Sequence, residues 1–229
     1  MSVRLLFVVA LAALAAAAAL PGRAGAANEC AGIPRCIPVA GPWVAVAAHG
    51  EVRFALECPQ GRGIVGGTDA QASSLDVRAS FDGIVASPVS FGRTTLSSAF
   101  FRAVSATHRP GAFKPFIGCI PAQNQISNTL SSKITPLGPP LDLKSKLVEV
   151  TPGFQRSVSV SCPADESLVD SWNATAFTTA TPPDPGLASA IRVQTKIAGH
   201  RATLSISVSE ALPPTSRAEV QVGVRCAGG

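Results

Sequence analysis

The feature that most constrains this chain is that it repeats itself. Slid along itself by 104 residues, the interval from Cys58 to Cys162, the stretch Trp43 to Ala70 lies without gaps over Leu147 to Ala174. Val44 then meets Val148, Val46 meets Val150, and Cys58-Pro59 meets Cys162-Pro163. Val65 falls on Val169 and Ile64 on Leu168. The two units also end alike, in "AFKPFIGC" at Cys119 and "AEVQVGVRC" at Cys226. A fold for this chain must therefore accommodate two copies of one cysteine-bearing unit.

Within each unit the apolar residues recur at every second position, the period of an extended strand. Val52, Phe54, Leu56 and Cys58 share one face, as do Val158, Val160 and Cys162. Val220, Val222, Val224 and Cys226 form another such set, and Ile191, Val193, Thr195 and Ile197 turn at Gly199 into Ala202, Leu204, Ile206 and Val208. Each cysteine is in register with the inward side chains of its strand. Repeat symmetry pairs Cys58 with Cys119 and Cys162 with Cys226, which leaves Cys30 with Cys36 to close a small loop. The even number of cysteines, 6, points to an oxidising compartment. Helical periodicity is absent after the N-terminus, and 19 prolines oppose it. These patterns predict an all-β protein of two packed antiparallel sheets per unit.

The N-terminus has the form of an export signal: Arg4, an apolar run from Leu5 to Leu20, then the small-residue site "AGA" at Ala24 to Ala26. The expected organisation is a signal peptide over 1–26 and an N-terminal disulfide loop over 27–42. A first β-sandwich module follows over 43–122, then a linker over 123–146 and a second module over 147–229. Removal of 1–26 takes away Arg4 and Arg23 and no acid, so the net charge falls from +5 to +3. That charge is too small and too dispersed for nucleic acid as the partner. The apolar run is short and is followed by Pro21-Gly22, so no membrane span is expected in the mature chain, which is read as secreted, extracellular or envelope-associated.

Two short motifs invite comparison with known families. "IVGG" at Ile64 to Gly67 resembles the activated N-terminus of trypsin-like proteases. Its partners are missing: the only nearby histidine, His49, lies upstream, and no Gly-Asp-Ser-Gly-Gly nucleophile turn exists. The repeat explains the motif as an apolar pair after a Cys-Pro turn. The spacing Cys162, Trp172, Cys226 resembles an immunoglobulin domain, whose tryptophan packs on an inter-sheet disulfide. This resemblance implies two tandem immunoglobulin-like β-sandwich modules. With its paired Cys-Pro units, the chain also resembles uncharacterised secreted proteins of actinobacteria, a likeness that brings no function with it.

Chemistry-bearing residues are sparse. His49, His108 and His200 fall at separate turns without metal-ligand spacing, and the acids sit where carboxylates usually cap turns, so no catalytic residue, metal or cofactor is expected. Serine and threonine alternate on outward strand faces, as in "SVSVSC" and "TLSISVS". The one local bias is basic: Arg102, His108, Arg109 and Lys114 surround the turn "SATHRPGA" beside several phenylalanines. They are the candidate binding residues, for an anionic envelope polymer or an extracellular protein. The expected function is a non-catalytic binding or structural protein, with a hydrolase at the module interface or an enzyme inhibitor as alternatives.

Overall fold

The computed structural model describes residues 28–59, 63–81, 88–90, 93–94, 97–121 and 141–228. The expected signal peptide, residue 122 at the end of the expected first module, and residues 123–140 of the expected linker lie outside the described residues.

Unit 1 contains β1 (Ile37–Ala40), β2 (Trp43–Val46), β3 (Glu51–Glu57), β4 (Gly63–Ala72), β5 (Val77–Phe81), β8 (Ser98–Ser105) and β9 (Gly111–Pro121). A two-stranded ribbon of β6 (Pro88–Ser90) and β7 (Arg93–Thr94) interrupts it. Unit 2 contains β10 (Leu141–Val150), β11 (Gln155–Ser161), β12 (Glu166–Phe177), the short helix α1 (Pro185–Ser189), β13 (Ile191–Ala198), β14 (Arg201–Val208) and β15 (Ala218–Gly228). Strand β10 begins within the segment read as linker. Strands β3 and β11 coincide at the 104-residue shift, and the pairing repeats too. β3-β8-β5 in unit 1 matches β11-β14-β13 in unit 2, each a separate three-stranded sheet.

The remaining strands form one seven-stranded antiparallel sheet. β9 carries β4 on one edge and β1 with β2 on the other, and β15 lies between β12 and β10. β1 and β2 together stand where β10 stands in unit 2, broken at Gly41-Pro42. The halves join edge to edge, with Val44 opposite Ala176 and Trp43 opposite Phe177. The two units are therefore not beads on a string. They share a sheet.

Side-chain alternation then places the two small sheets on opposite faces of the shared one. Val44, Val46, Phe113, Ile117 and Cys119 pack against Val52, Phe54, Phe101 and Ala103 of the first small sheet, and this core includes Ala174 and Ala176 from β12. Val220, Val222, Val224 and Cys226 project the other way, against Val160, Ala202, Leu204 and Ile206 of the second. Burial of each large apolar side chain stabilises the fold by about 1.5–3 kcal/mol. The three expected bridges are all present: Cys58–Cys119 and Cys162–Cys226 each tie a small sheet to the shared one, and Cys30–Cys36 closes the N-terminal loop.

The "IVGG" stretch is strand β4, and pairing with β9 moves its counterpart by one residue. Both units carry a β-bulge on this strand, between Val65 and Gly67 in unit 1 and between Leu168 and Asp170 in unit 2. Val65 therefore matches Leu168, and the ungapped alignment slips because unit 2 is one residue shorter after its Cys-Pro turn. The glycines have packing reasons. A Cβ on Gly66 would press on Ile120, and one on Gly67 or on its partner Gly118 would collide with the Glu29 carbonyl of the N-terminal loop.

The bulge also decides where Trp172 points. It lies opposite Gly223, on the face away from Cys226, and packs outside its own sandwich rather than on the Cys162–Cys226 bridge.

Candidate functional site

The outward side of Trp172 is where unit 1 docks. The indole is 5 % exposed, meets the Phe100 ring edge-on at 4.5 Å between centroids, and leaves no room for a Cβ at Gly223. Its Nε1 donates to Gln221 Oε1 at 3.2 Å. The Gln221 amide in turn mimics a peptide group: Oε1 accepts from the Ala55 amide at 2.8 Å and Nε2 donates to the Ala55 carbonyl at 2.9 Å. Arg53 reaches across to Asp170. A buried amide satisfied at both ends rigidifies a contact, so the joint between units has one geometry.

Arg102 belongs to this neighbourhood. Its Nη2 donates to Glu51 Oε2 at 2.6 Å while Arg53 Nε donates to Glu51 Oε1 at 3.0 Å. The hydrogen bond from Arg102, then the charges of Arg102 and Arg53, hold the Glu51 carboxyl below its ordinary 4.5 against the opposing effect of burial. Glu219 is shifted the other way, upward from 4.5, by burial and then by Glu149 opposite it on β10. A carboxylate with a raised folded pKa favours the fold below its unfolded pKa and loses that contribution as pH rises through the folded value. Glu219→Gln is accordingly expected to raise the melting temperature at pH 7. The gain should vanish below about pH 4, where Glu219 is protonated in both states; an equal gain at both pH values would mean the charge is not responsible.

The other candidates lie apart from Arg102. His108 and Arg109 occupy the exposed turn between β8 and β9, where Ser105 Oγ donates to the Arg109 carbonyl at 2.9 Å. Lys114 lies on the face of the shared sheet opposite the first core, its ammonium 6.0 Å from the Trp43 ring and 5.8 Å from that of Phe116. The structure thus groups His108 with Arg109 and seats Lys114 in an aromatic cradle. Arg102 is in the ion-pair network on the outer side of the first small sheet.

A groove of about 460 Å³ runs between Ala45 to Ala48 of unit 1 and Asn173 to Thr175 of unit 2, with Pro183 to Pro185 along its rim. A hydrolase site at the module interface would occupy this groove, so its polar groups matter. Glu51 is held by two arginines, Asp184 caps α1 by accepting from the Gly186 amide at 2.7 Å, and Asn173 donates to Thr195 at 3.1 Å. Each is committed to structure, and the lining is otherwise mostly apolar. No described helix is long and apolar enough to cross a membrane.

The most distinctive surface lies on unit 2. Pairing aligns the outward residues of β11, β14 and β13 in four rows: Gln155, Ser207, Arg192; Ser157, Ser205, Gln194; Ser159, Thr203, Lys196; Ser161, Arg201, Ala198. All are exposed or half-buried. Three of the twelve are cations and none is an acid. Hydroxyls bond across strands, Ser159 to Thr203 at 2.8 Å and Ser157 to Ser205 at 3.4 Å, and Lys146 adds a fourth cation at the edge by donating to the Ser159 carbonyl at 2.9 Å. A shallow depression of about 570 Å³ opens at the Arg192 end. The alternation in "RVQTKIA" and "RATLSISV" carries this face, but a polar outward strand face also arises for solubility alone. Its sign becomes visible only when three strands are laid side by side. The chain matches no family model, no curated protein and no solved structure.

Proposed function

We propose that this is a secreted, non-catalytic binding protein of the cell envelope or its surroundings, and that it holds an anionic polysaccharide on the outer face of β11, β14 and β13. The observation that carries this reading is the acid-free face of Arg192, Lys196 and Arg201 set among hydroxyls and amides. Guanidinium and ammonium groups complement carboxylate, sulfate or phosphate on a glycan, and serine, threonine and glutamine both donate to and accept from its hydroxyls. The face has no aromatic residue, which argues against single-stranded nucleic acid, whose bases need stacking platforms. It also lacks the apolar anchors of a protein hot spot. The three disulfides suit an oxidising extracellular setting, and each unit serves as a diverged immunoglobulin-like scaffold.

The test is binding to dextran sulfate, with neutral dextran as control. The parent should bind the sulfated polymer alone, and more weakly as salt rises, because exposed charges are screened over about 8 Å at physiological ionic strength. Three exposed ion contacts of about 0.5 kcal/mol each predict roughly tenfold weaker binding by the triple variant Arg192→Ala, Lys196→Ala, Arg201→Ala. If that variant binds as the parent does while Arg109→Ala, Lys114→Ala does not, the site is on unit 1 and the proposed face is wrong.

A further inference from the structure

The turn between β2 and β3 and the turn between β8 and β9 are bonded to each other. His49 N donates to the Thr107 carbonyl at 3.0 Å and Ser105 N to the Gly50 carbonyl at 3.0 Å. Within the second turn, Arg109 N donates to Thr107 Oγ1 at 3.2 Å. This clamp brings together two histidines 59 residues apart in sequence: His49 Nε2 and His108 Nδ1 are 2.8 Å apart, with the rings edge-to-face at 88°. Both are exposed. His49 is held at φ 50°, in the left-handed region that non-glycine residues seldom occupy. Histidine is, with asparagine and aspartate, among the non-glycine residues enriched there, so the turn accommodates the imidazole without needing glycine.

We infer that His49 and His108 form a two-imidazole site for a late first-row divalent cation, of the Cu²⁺, Ni²⁺ or Zn²⁺ class. Imidazole nitrogen is the donor these ions share. Two nitrogens bound to one such ion at 2.0–2.1 Å, at square or tetrahedral angles, lie roughly 2.9–3.4 Å apart. The pair is within a few tenths of an ångström of that separation. In the metal-free pair, one ring donates the hydrogen and the other accepts it. An ion would take the lone pairs of His49 Nε2 and His108 Nδ1, and each neutral ring would keep its proton on its other nitrogen. No net deprotonation of a neutral ring is required. The turns are open to solvent, so water completes the coordination shell.

The site is independent of the glycan face, and its test does not depend on that face. Cu²⁺ is titrated calorimetrically into the parent and into His108→Gln, His49→Asn and His200→Gln, the asparagine being chosen because it tolerates the left-handed conformation. The parent and His200→Gln should bind one Cu²⁺ alike. His108→Gln and His49→Asn should each lose at least about tenfold in affinity, the lower bound seen when a metal site loses even an outer partner. Copper electron paramagnetic resonance should show two imidazole nitrogens in the parent and one in either variant. Equal binding by all four proteins, or a larger loss in His200→Gln than in the other two, overturns the assignment.

Discussion

Replacing Cys162 and Cys226 together by alanine is expected to lower the stability of the whole chain and not of unit 2 alone. The bridge spans 64 residues, and for a loop of that length the chain-entropy model gives ~4 kcal/mol. Removing two buried cysteine sulfurs from the second core adds a packing loss. Replacing Cys58 and Cys119, at a separation of 61, should cost about as much, whereas Cys30 and Cys36, only 6 apart, should contribute less. The form of the transition carries the stronger test. Ala174 and Ala176 of unit 2 are packed in the core of unit 1, and β2 is bonded to β12. Loss of either long bridge should therefore shift one cooperative denaturation curve. Two transitions, with the intact unit unfolding as in the parent, would show that the shared sheet does not couple the units.

How much of this was legible in the residues depends on the range over which they act. Strand periodicity is local, and the inward sets ending at Cys58, Cys162 and Cys226 are buried much as their alternation predicts. Repeat symmetry reached further and gave the disulfide map. It could not register a one-residue difference between units, because that difference lies in the turn after Cys-Pro, ahead of the bulge that both units share. Trp172 shows the consequence. Placed by spacing alone it belongs against its own bridge, but the bulged register turns it outward. Edge pairing of β2 with β12 was illegible for another reason: a strand edge is a row of backbone groups, which side-chain pattern does not encode.

The candidate sites follow the same rule. Arg102, His108, Arg109 and Lys114 cluster in sequence, but they fall on β8, on the following turn and on β9, and β8 and β9 belong to different sheets. Conversely, His49 and His108 had no local spacing to announce them. The basic face of unit 2 was hidden by averaging: residues 149–229 carry six basic and seven acidic residues. The fold sorts them, placing Arg192, Lys196 and Arg201 on one face, and Asp170 and Glu219 on the docked side of the shared sheet.

The repeat also shows what covers, on unit 1, the surface by which unit 2 receives its neighbour. By pairing register, Gly67, Gly118 and Asp69 in unit 1 correspond to Asp170, Arg225 and Trp172 in unit 2. In unit 2 that region receives unit 1, through Arg53 and Phe100. In unit 1 it receives the N-terminal disulfide loop: Glu29 lies over the two glycines, and Asn28 N donates to Asp69 Oδ2 at 2.8 Å. The small loop thus covers on unit 1 the surface that unit 1 covers on unit 2.

That correspondence makes Trp172→Ala the most informative single substitution. Loss of a buried indole generally costs about 3–5 kcal/mol, because the surrounding groups close the cavity only in part. Here the wall opposite the indole is Phe100 of the other unit, and the floor is Gly223, whose missing side chain cannot fill the space. Gln221 also loses its bond from Nε1, although its two bonds to Ala55 remain. Phe100→Ala should therefore destabilise in the same way, and the two substitutions together should cost less than their sum by about 0.5–1.5 kcal/mol, the coupling of an aromatic pair. The immunoglobulin-type placement predicts a different result. If Trp172 covered the Cys162–Cys226 bridge, Trp172→Ala would expose that bridge to reductant, and Phe100→Ala would add independently. Strict additivity together with faster reduction of Cys162–Cys226 would refute the outward placement. Coupling with an unchanged reduction rate is expected, since the contact joins the units and the bridge lies on the other side of the sheet.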